Sequence, residues 1–581
     1  MMDTYILLHR FPGKISLVLF LLSLLWPGIA VAASGNPAAV DGEPSRPCYA
    51  MVVEYDVPVT LRDGTTVAVD IYRPKASGRF PVLLEGSAYD KRCSTDIRMS
   101  THTFFVPRGY VVIIWNVRGR FKSGGSFDMA ALPGNDGWDM VEWAARQPWS
   151  NGKIGLVGKS YSGQILLHTA AARPPHLVCA MSALTGSDAW QWYYRGGAME
   201  FGFSLYWGTV ILGWDLAEKT LGNTPALQRW KNLLEMYLAD QQTFADVIPL
   251  LDFKPAQIAP GVNLFATWAS HPTADAYWKR LSPSSYFSRI EIPILHIGGW
   301  YDIFLDGTLN AFQELRQRAG APLARRNQRL LLGPWHHSVP SYHGTRIGSV
   351  DYGPGLNQPG FNMMRLAFAD YWLKDTRTPL YREDAPVSVF TMGRNCWRTA
   401  PSWPPAEAEP QVWYFHASAR RKGESLNDGA LSQAGPAPAA PPQTYLYDPM
   451  NPTPTRGGSG LLLFPFGPDS LVDYGQQEQG PVDKRSLTFT SGPLVHDLLV
   501  SGAVSAHLSA SSSAVDTDWV VRLCDVFPDG RSLNVVEGIQ RARFRESASA
   551  PSLLQPGHIY DYTVRMSATE YLFRAGHRLR I

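Results

Sequence analysis

A surplus of one charge sign is missing from this 581-residue sequence. Its 53 Lys and Arg residues are balanced by 50 Asp and Glu residues, which leaves a net charge of +3. Because nucleic-acid binding needs a clustered basic surface, this balance argues against a nucleic-acid partner. Apolar residues at 45% and charged residues at 18% are typical of a globular protein. The length exceeds that of one compact core, so two or three domains are expected.

Cysteine is scarce as well. The five cysteines are an odd number, so at least one stays free or pairs between chains, and a Cys48–Cys93 pair is left open. Cys179 lies in an apolar, strand-like run and is expected in the core. No spacing resembles a zinc site, and the adjacent His336 and His337 cannot easily share one metal ion. We expect neither a metal nor an organic cofactor.

The apolar run at the N-terminus is too short to span a bilayer comfortably. It covers residues 15–26, follows two basic residues and precedes the small residues of "PGIAVAAS". This arrangement predicts a signal peptide over residues 1–33, cleaved near Ala32 or Ala33. A secreted or periplasmic protein without stable membrane insertion after cleavage is therefore expected, and an uncleaved membrane anchor is the alternative.

Short apolar runs alternate with helical stretches over residues 45–188 and again over residues 288–378. The strand-like runs are rich in Val and Ile and include "TTVAVDIY", "FPVLLEG", "GYVVIIWNV", "KIGLVG", "IPILHIGGW" and "QRLLLGPW". This alternation predicts an α/β fold with a doubly wound, mostly parallel sheet. Residues 189–287 are helix-like and crowded with aromatic residues. They predict an inserted helical cap, with longer surface helices as the alternative.

Residues 379–581 read as an all-β domain. The strand-like runs are "PVSVFTMG", "QVWYFHA", "QTYLYDP", "SLTFTSG", "DLLVSGAVSAHLSAS" and "DWVVRLCDVFPDG". Their regular spacing between turn residues predicts a β-sandwich or jelly roll. The last residues, "AGHRLRI", end within a strand-like run, so a truncated domain is one expectation.

The segment "GKIGLVGKSYSG" at residues 152–163 has two interpretations. A phosphate-binding loop, G-x-x-x-x-G-K-[ST], needs Gly at position 153, where this chain has Lys. A nucleophile elbow, G-x-S-x-G, presents a serine between a strand and a helix. Gly158 stands two residues before Ser160, but Gly163 comes one position late, so Ser162 must be the second small residue. The elbow fits better but needs catalytic partners elsewhere in the chain.

A serine nucleophile requires a histidine base oriented by a carboxylate. In doubly wound hydrolases these partners follow later strands, in the order Ser, acid, His. Asp302 follows "IPILHIGG" and His337 follows "QRLLLG", so that Ser160, Asp302 and His337 occur in this order. The alternatives are Asp306 as the acid and His336 as the base.

Eight ordered segments between about residue 50 and the end of the chain resemble one family. They are "GSAYDKR", "NVRGRFKSGGSF", "DGWDMVEWAARQPWSNGKIGLVGKSYSG", "GGWYDIF", "GPWHHS", "YDPMNPTPTRGG", "DTDWVVRLCDVFPDGRS" and "EGIQRARFR". The chain resembles the CocE/NonD serine hydrolases, the cocaine esterase/X-Pro dipeptidyl-peptidase-like group of S15-type α/β-hydrolases. The resemblance implies an α/β-hydrolase sheet with an inserted helical cap. It also implies a C-terminal jelly-roll domain of the galactose-binding-like type.

The resemblance also implies residue roles. Ser160 matches the family's nucleophile, Asp302 its acid and His337 its base. The implied oxyanion hole combines the hydroxyl of Tyr89 with the backbone N–H of Tyr161. A phenol and an amide aimed at one developing oxyanion form a preorganised pair of donors.

Two departures from the family bear on substrate choice. Asn116 stands where the family usually has the Asp of D-x-R-G. Phe304 and Leu305 stand where the α-amino acid ester hydrolases carry an acidic pair for the substrate ammonium. A hydrophobic acyl pocket is therefore expected. Its expected lining residues are Phe304, Trp190, Trp192 and Trp300.

The expected activity is hydrolysis of an acyl ester or amide through an acyl-enzyme, on a small molecule or short peptide. An X-Pro dipeptidyl-peptidase is the enzymatic alternative, and it would need a carboxylate such as Asp188 or Glu200 to bind the substrate amine. A non-enzymatic alternative is a binding protein whose jelly roll grips a ligand beside a vestigial hydrolase domain. The sequence leaves the oligomeric state open.

Overall fold

The computed structural model describes most of the chain from residue 42 onward. The described residues are 42–92, 101–129, 134–239, 250–252, 264–337, 344–357, 360–418, 422–435, 441–459 and 474–581. The signal peptide expected over residues 1–33 and Cys93 lie outside them. Of the helices in these ranges, none combines the length and the apolar character that a bilayer-crossing segment needs.

Residues 51–400 contain a large mixed sheet. The strands up to residue 400 are β1 Met51–Thr60, β2 Thr66–Pro74, β3 Phe80–Ser87, β4 Val111–Asn116, β5 Ser150–Lys159, β6 Leu177–Ala183, β7 Tyr194–Arg195, β8 Ala198–Met199, β9 Ile294–Tyr301, β10 Arg329–His336, β11 Arg346–Ile347, β12 Val350–Asp351, β13 Val387–Thr391 and β14 Cys396–Ala400. Ten of them form one sheet in the order β1-β2-β4-β3-β5-β6-β9-β10-β13-β14. Neighbours from β4 to β13 pair in parallel, whereas β1, β2 and β14 are joined antiparallel.

Helices lie between these strands in the chain. They are α1 Thr101–Phe105, α2 Gly134–Ala145, α3 Tyr161–Ala171, α4 Ala189–Tyr193, α5 Phe201–Tyr206, α6 Gly213–Leu221, α7 Pro225–Ala239, α8 Leu264–Ala269, α9 Ala276–Leu281, α10 Leu305–Arg318, α11 Pro322–Arg326 and α12 Phe361–Lys374. Every residue of β3 and β4 is buried, which explains the apolar runs at residues 80–84 and 111–115, since central parallel strands are covered on both faces. Helices α4 to α9 all lie between β6 and β9 in the chain.

A second sheet follows and is entirely antiparallel except for one pair of strands. Its strands are β15 Tyr414–His416, β16 Gly429–Ser432, β17 Phe489–Ser491, β18 Leu498–Ala510, β19 Asp518–Val526, β20 Ser532–Arg541, β21 Tyr560–Phe573 and β22 Arg578–Arg580. They are arranged in the order β15-β16-β17-β22-β19-β20-β21-β18, with β16 and β17 parallel. A doubly wound α/β sheet followed by an all-β domain confirms the fold class expected from the sequence.

Two of the expected C-terminal strands behave differently. The run "PVSVFTMG" becomes β13, which pairs with β10 in the first sheet rather than joining the all-β domain. The run "QTYLYDP" forms no strand, and its Leu446 is 93% exposed. Both runs have strand-like composition, but strand formation depends on an available partner edge, which local sequence does not specify.

The described cysteines form no disulfide with one another. Cys179 and Cys524 are buried, whereas Cys48 and Cys396 are exposed. The burial of Cys179 in β6 confirms that it is a core residue, and desolvation raises the pKa of its thiol. A thiol held protonated in an apolar core is chemically inert.

Candidate active site

Ser160 occupies a strained turn between β5 and α3. Its backbone has φ 60° and ψ −125°, a conformation that non-glycine residues rarely adopt. Two contacts hold the turn: the Ser160 N–H donates to the carbonyl of Ala183 at 3.0 Å, and the Thr185 hydroxyl donates to the Ser160 carbonyl at 2.7 Å. This strand–turn–helix geometry is that of a nucleophile elbow.

The displaced glycine of the motif has a steric explanation. A Cβ atom added to Gly158 would lie 2.5 Å from the backbone oxygen of Ser162. One added to Gly163 would lie 1.9 Å from Oγ1 of Thr185, the atom that holds the Ser160 carbonyl. Gly163 therefore permits the close approach of α3 to the segment after β6.

The structure brings the three expected triad residues together. The Nε2 atom of His337 lies 3.0 Å from Oγ of Ser160, and its Nδ1 atom lies 2.7 Å from Oδ1 of Asp302. The Asp302 side chain is fully buried and that of His337 is 12% exposed. Asp302 follows β9 and His337 follows β10, which are adjacent parallel strands. Both residues thus lie at the carboxyl edge, where doubly wound sheets place their ligands.

The alternative acid and base have other surroundings. His336 stacks on Tyr474 with ring centroids 4.6 Å apart. Burial, together with the charges of Lys159 and His337, lowers the pKa of His336 to about 3. Asp306 is exposed and accepts a hydrogen bond from the hydroxyl of Ser567 in β21 at 3.1 Å.

Tyr89 is held at both its backbone and its hydroxyl. The Asn116 amide donates to the Tyr89 carbonyl at 2.6 Å, and the Tyr89 N–H donates to the hydroxyl of Ser87 at 3.1 Å. The indole N–H of Trp207 donates to the Tyr89 hydroxyl oxygen at 3.2 Å. The departure at position 116 thus supplies an amide donor, which an ionised carboxylate could not do.

The Tyr161 amide lies at the start of α3, where a helix leaves its first N–H groups without intrahelical partners. The Tyr161 ring is buried and lies 5.7 Å from the ring of Trp207 and 6.3 Å from that of Phe127. No sequence motif indicates a role for Trp207. It belongs to an aromatic-rich segment, but nothing in the spacing distinguishes it from its neighbours.

The four expected pocket residues separate into two groups. Phe304 meets the His337 ring edge to face at 5.2 Å, and Trp192 lies 5.6 Å from Phe304.

Trp190 instead stacks on Tyr194 at 5.9 Å and donates its indole N–H to the Pro272 carbonyl. The indole of Trp300 donates to the Phe390 carbonyl and packs against Trp403. Contacts therefore connect Phe304 and Trp192 to the candidate base, whereas Trp190 and Trp300 are engaged in other packing.

The candidate amine-binding carboxylates have structural roles. Asp188 caps α4 by accepting from the Gln191 N–H at 3.2 Å, and burial raises its pKa. Glu200 forms an ion pair with Arg195 at 2.9 Å. Within the described ranges, no group of three or more His, Cys, Asp or Glu side chains is placed to hold a metal ion.

The arrangement of Ser160, His337 and Asp302 can perform acyl transfer. A histidine within hydrogen-bonding reach of a serine hydroxyl can accept its proton as the oxygen attacks a carbonyl carbon. The buried carboxylate then orients the ring and stabilises the imidazolium that forms.

Comparisons with known proteins agree with this geometry. The X-Pro dipeptidyl-peptidase (S15) family matches residues 63–339, and the X-Pro dipeptidyl-peptidase C-terminal non-catalytic domain matches residues 365–581. Over 542 residues the chain is 32% identical to cocaine esterase of Rhodococcus sp. (strain MB1 Bresler), across 91% of this chain and 90% of that protein.

Solved structures show the same fold. An α-amino acid ester hydrolase matches with a TM-score of 0.73 at 22% identity, over 94% of this chain and 92% of its own. A CocE/NonD family hydrolase from Staphylococcus aureus matches with a TM-score of 0.62 at 19% identity, over 91% of this chain and 85% of its own.

The similarity to cocaine esterase extends over nearly all of both proteins, and the two family matches cover the α/β and the all-β parts of the chain in turn. A vestigial hydrolase domain beside a binding module is thereby set aside. The chain belongs to the CocE/NonD group of the S15 family and is a serine hydrolase of esters or peptides.

Proposed function

We propose that Ser160, His337 and Asp302 are the catalytic triad of this hydrolase and that it works through an acyl-enzyme. The observation that carries the proposal is the position of His337, with one ring nitrogen 3.0 Å from the Ser160 hydroxyl and the other 2.7 Å from the Asp302 carboxylate. A base oriented by a third group is the arrangement that activates a serine.

The proposed reaction has two halves. Ser160 Oγ bonds to the substrate carbonyl carbon while Nε2 of His337 takes the hydroxyl proton, and Asp302 stabilises the resulting imidazolium. The tetrahedral oxyanion accepts hydrogen bonds from the Tyr89 hydroxyl and the Tyr161 N–H. The bond to the leaving group then breaks, and the leaving alcohol or amine receives the proton from His337. A water molecule repeats the sequence on the acyl-enzyme, releasing the carboxylic acid and restoring Ser160.

We propose that the substrate is an ester or amide with an apolar acyl group. Phe304 and Trp192 supply aromatic surface beside His337. Helices α4 to α9 are proposed as the cap that covers this surface. The absence of an acidic residue at positions 304 and 305, together with the structural roles of Asp188 and Glu200, argues against a grip on a free α-amine.

A paired substrate series tests this assignment. Purified enzyme is assayed with aryl esters of increasing acyl length, the matching acyl anilides and X-Pro-anilides with a free N-terminus, with Ser160→Ala as the blank. The proposal predicts the highest kcat/KM for uncharged apolar acyl groups. A preference for X-Pro-anilides over the same peptides with a blocked amine would make the chain an X-Pro dipeptidyl-peptidase and would point to another amine anchor.

The N-terminal segment has the composition of an export signal. We propose that residues 1–33 direct the chain out of the cytoplasm, since a basic start, an apolar run and small residues precede the folded part. Fusion of these residues to a reporter enzyme that is active only outside the cytoplasm would test this. An inactive fusion that is well expressed would contradict it.

A further inference from the structure

The hydroxyl proposed as an oxyanion donor has a donor of its own. The indole Nε1 atom of Trp207 lies 3.2 Å from the Tyr89 hydroxyl oxygen and donates its hydrogen to it. An indole nitrogen can only donate, so the direction of this hydrogen bond is fixed without any assumption about protonation. The Tyr89 oxygen is therefore the acceptor.

This direction restricts where the Tyr89 proton can point. A phenol has one O–H, and that hydrogen cannot point along the line from which the Trp207 N–H arrives. Accepting a hydrogen bond also polarises the phenol, which strengthens its own O–H as a donor. Both effects favour a donor that is already aimed and polarised before an oxyanion forms, which is the condition for electrostatic catalysis.

Trp207 is itself held rigidly. Its ring stacks on Phe203 at 5.7 Å and on Trp268 at 5.4 Å, nearly parallel to both. It begins a π-helical turn, Trp207–Ile211, that the Leu212 N–H closes onto the Trp207 carbonyl at 2.9 Å. Such turns are rare and recur at functional sites.

The π turn packs against α8 with little clearance. A Cβ atom added to Gly208 would lie 2.7 Å from the Trp268 ring. The indole of Trp207 therefore has little freedom to move away from Tyr89 while this packing is intact.

We propose that Trp207 is a positioning residue of the oxyanion hole, which acts through the Tyr89 hydroxyl rather than on the substrate. The inference rests on the proposed function, because it requires Tyr89 to stabilise the oxyanion. It predicts that loss of the indole N–H lowers kcat and leaves KM nearly unchanged. A residue that only lines the acyl pocket would instead affect KM.

A double-mutant cycle tests the inference. The wild type, Trp207→Phe, Tyr89→Phe and the double variant are assayed with one aryl ester, and kcat is normalised to active sites titrated with a fluorophosphonate. We expect Trp207→Phe to lower kcat by roughly 3- to 10-fold, the size of one net hydrogen bond. In the Tyr89→Phe background the same substitution should change kcat by less than about 2-fold, because the acceptor is gone.

Trp230→Phe is the matched control. It removes a buried indole in α7 and should leave kcat and KM unchanged. If Trp207→Phe yields no folded protein, Gly208→Ala replaces it in the cycle, because the added Cβ atom would press on the Trp268 ring that stacks on Trp207.

The outcomes separate the two proposals. The positioning role of Trp207 would be overturned if Trp207→Phe lowered kcat equally in the wild type and in Tyr89→Phe, or if it changed KM alone. The proposed roles of the triad and of Tyr89 would still stand. A normal kcat in Tyr89→Phe would remove Tyr89 from the oxyanion hole and the inference about Trp207 with it. Both proposals would be supported if Tyr89→Phe had a low but measurable kcat and if the double variant lost less kcat than the two single losses multiplied together.

Discussion

His337 lies 3.0 Å from the Ser160 hydroxyl through its Nε2 atom, although 177 positions separate the two residues in the sequence. The turn after β5 presents the serine and the turn after β10 presents the histidine at one edge of the sheet. His336, one residue earlier, is turned to Tyr474. Strand β10 ends between the two adjacent histidines, so that His337 contacts Ser160 whereas His336 contacts Tyr474.

Substitution of His337 should reduce catalysis, whereas substitution of His336 should reduce thermal stability. His337→Ala should lower kcat by roughly 10³-fold or more, because the base and proton shuttle are removed. His336→Asn should keep kcat within a few-fold while lowering the temperature of unfolding, because a buried, stacked ring is lost. Kinetics and thermal unfolding of both variants check this. A large loss of kcat in His336→Asn with a nearly normal His337→Ala would reassign the base.

The acid can be tested against its exposed neighbour. Asp302→Asn should lower kcat by about 10⁴-fold, since an amide favours the wrong tautomer of His337 while preserving shape. Asp306→Asn is the control, because the Asp306 carboxylate bonds to Ser567 instead of His337. Comparable activity of the two variants would exclude Asp302 as the orienting acid.

The elbow depends on the missing side chain at position 163. Gly163→Ala should lower both kcat and the stability of the fold, by about 1–3 kcal/mol for the latter, because its Cβ atom would collide with Thr185. Gly202→Ala in α5 is a matched control, since an added Cβ there has open space around it. Chemical unfolding and ester hydrolysis would be measured for both. Unchanged behaviour of Gly163→Ala would mean that α3 does not need this close approach.

Three buried histidines make the fold sensitive to acid. Burial lowers the pKa of His168 and His296 to about 4 and that of His336 to about 3. An exposed histidine in the unfolded chain titrates near about 6.5, so between about pH 4 and 6.5 the unfolded state binds more protons than the folded state. The free energy of unfolding should therefore fall as the pH decreases through this window.

Denaturant unfolding at several pH values measures this slope. Each buried histidine contributes at most about 1.4 kcal/mol per pH unit below the unfolded pKa. His296→Gln should show a shallower slope than the wild type, because its side chain does not titrate. A stability that is constant from pH 7 to pH 4.5 would contradict the burial of these rings as neutral groups.

Sequence patterns predicted the elements that follow from the parallel sheet. They did not predict contacts that depend on which distant segment supplies the partner. The β5–Ser160–α3 turn, Asp302 and His337 were predictable because a parallel sheet brings the ends of its strands to one edge. The position of β13 was not predictable, because an apolar strand fits either sheet. Its pairing with β10 places it in the first sheet. The contact between Trp207 and Tyr89 was not predictable either, because the two residues are 118 positions apart in the sequence. It also depends on the π turn that begins at Trp207, which no local sequence pattern predicts.

Covalent labelling by a fluorophosphonate tests the central claim most directly. Intact-mass measurement of the labelled enzyme, followed by peptide mapping, should find one label per chain on Ser160, with loss of esterase activity in proportion to labelling. Ser160→Ala should take up no label and hydrolyse no ester, while Ser162→Ala, next to the same turn, should still be labelled. Stoichiometric labelling of Ser160→Ala, or full esterase activity in it, would contradict the account of a Ser160 acyl-enzyme.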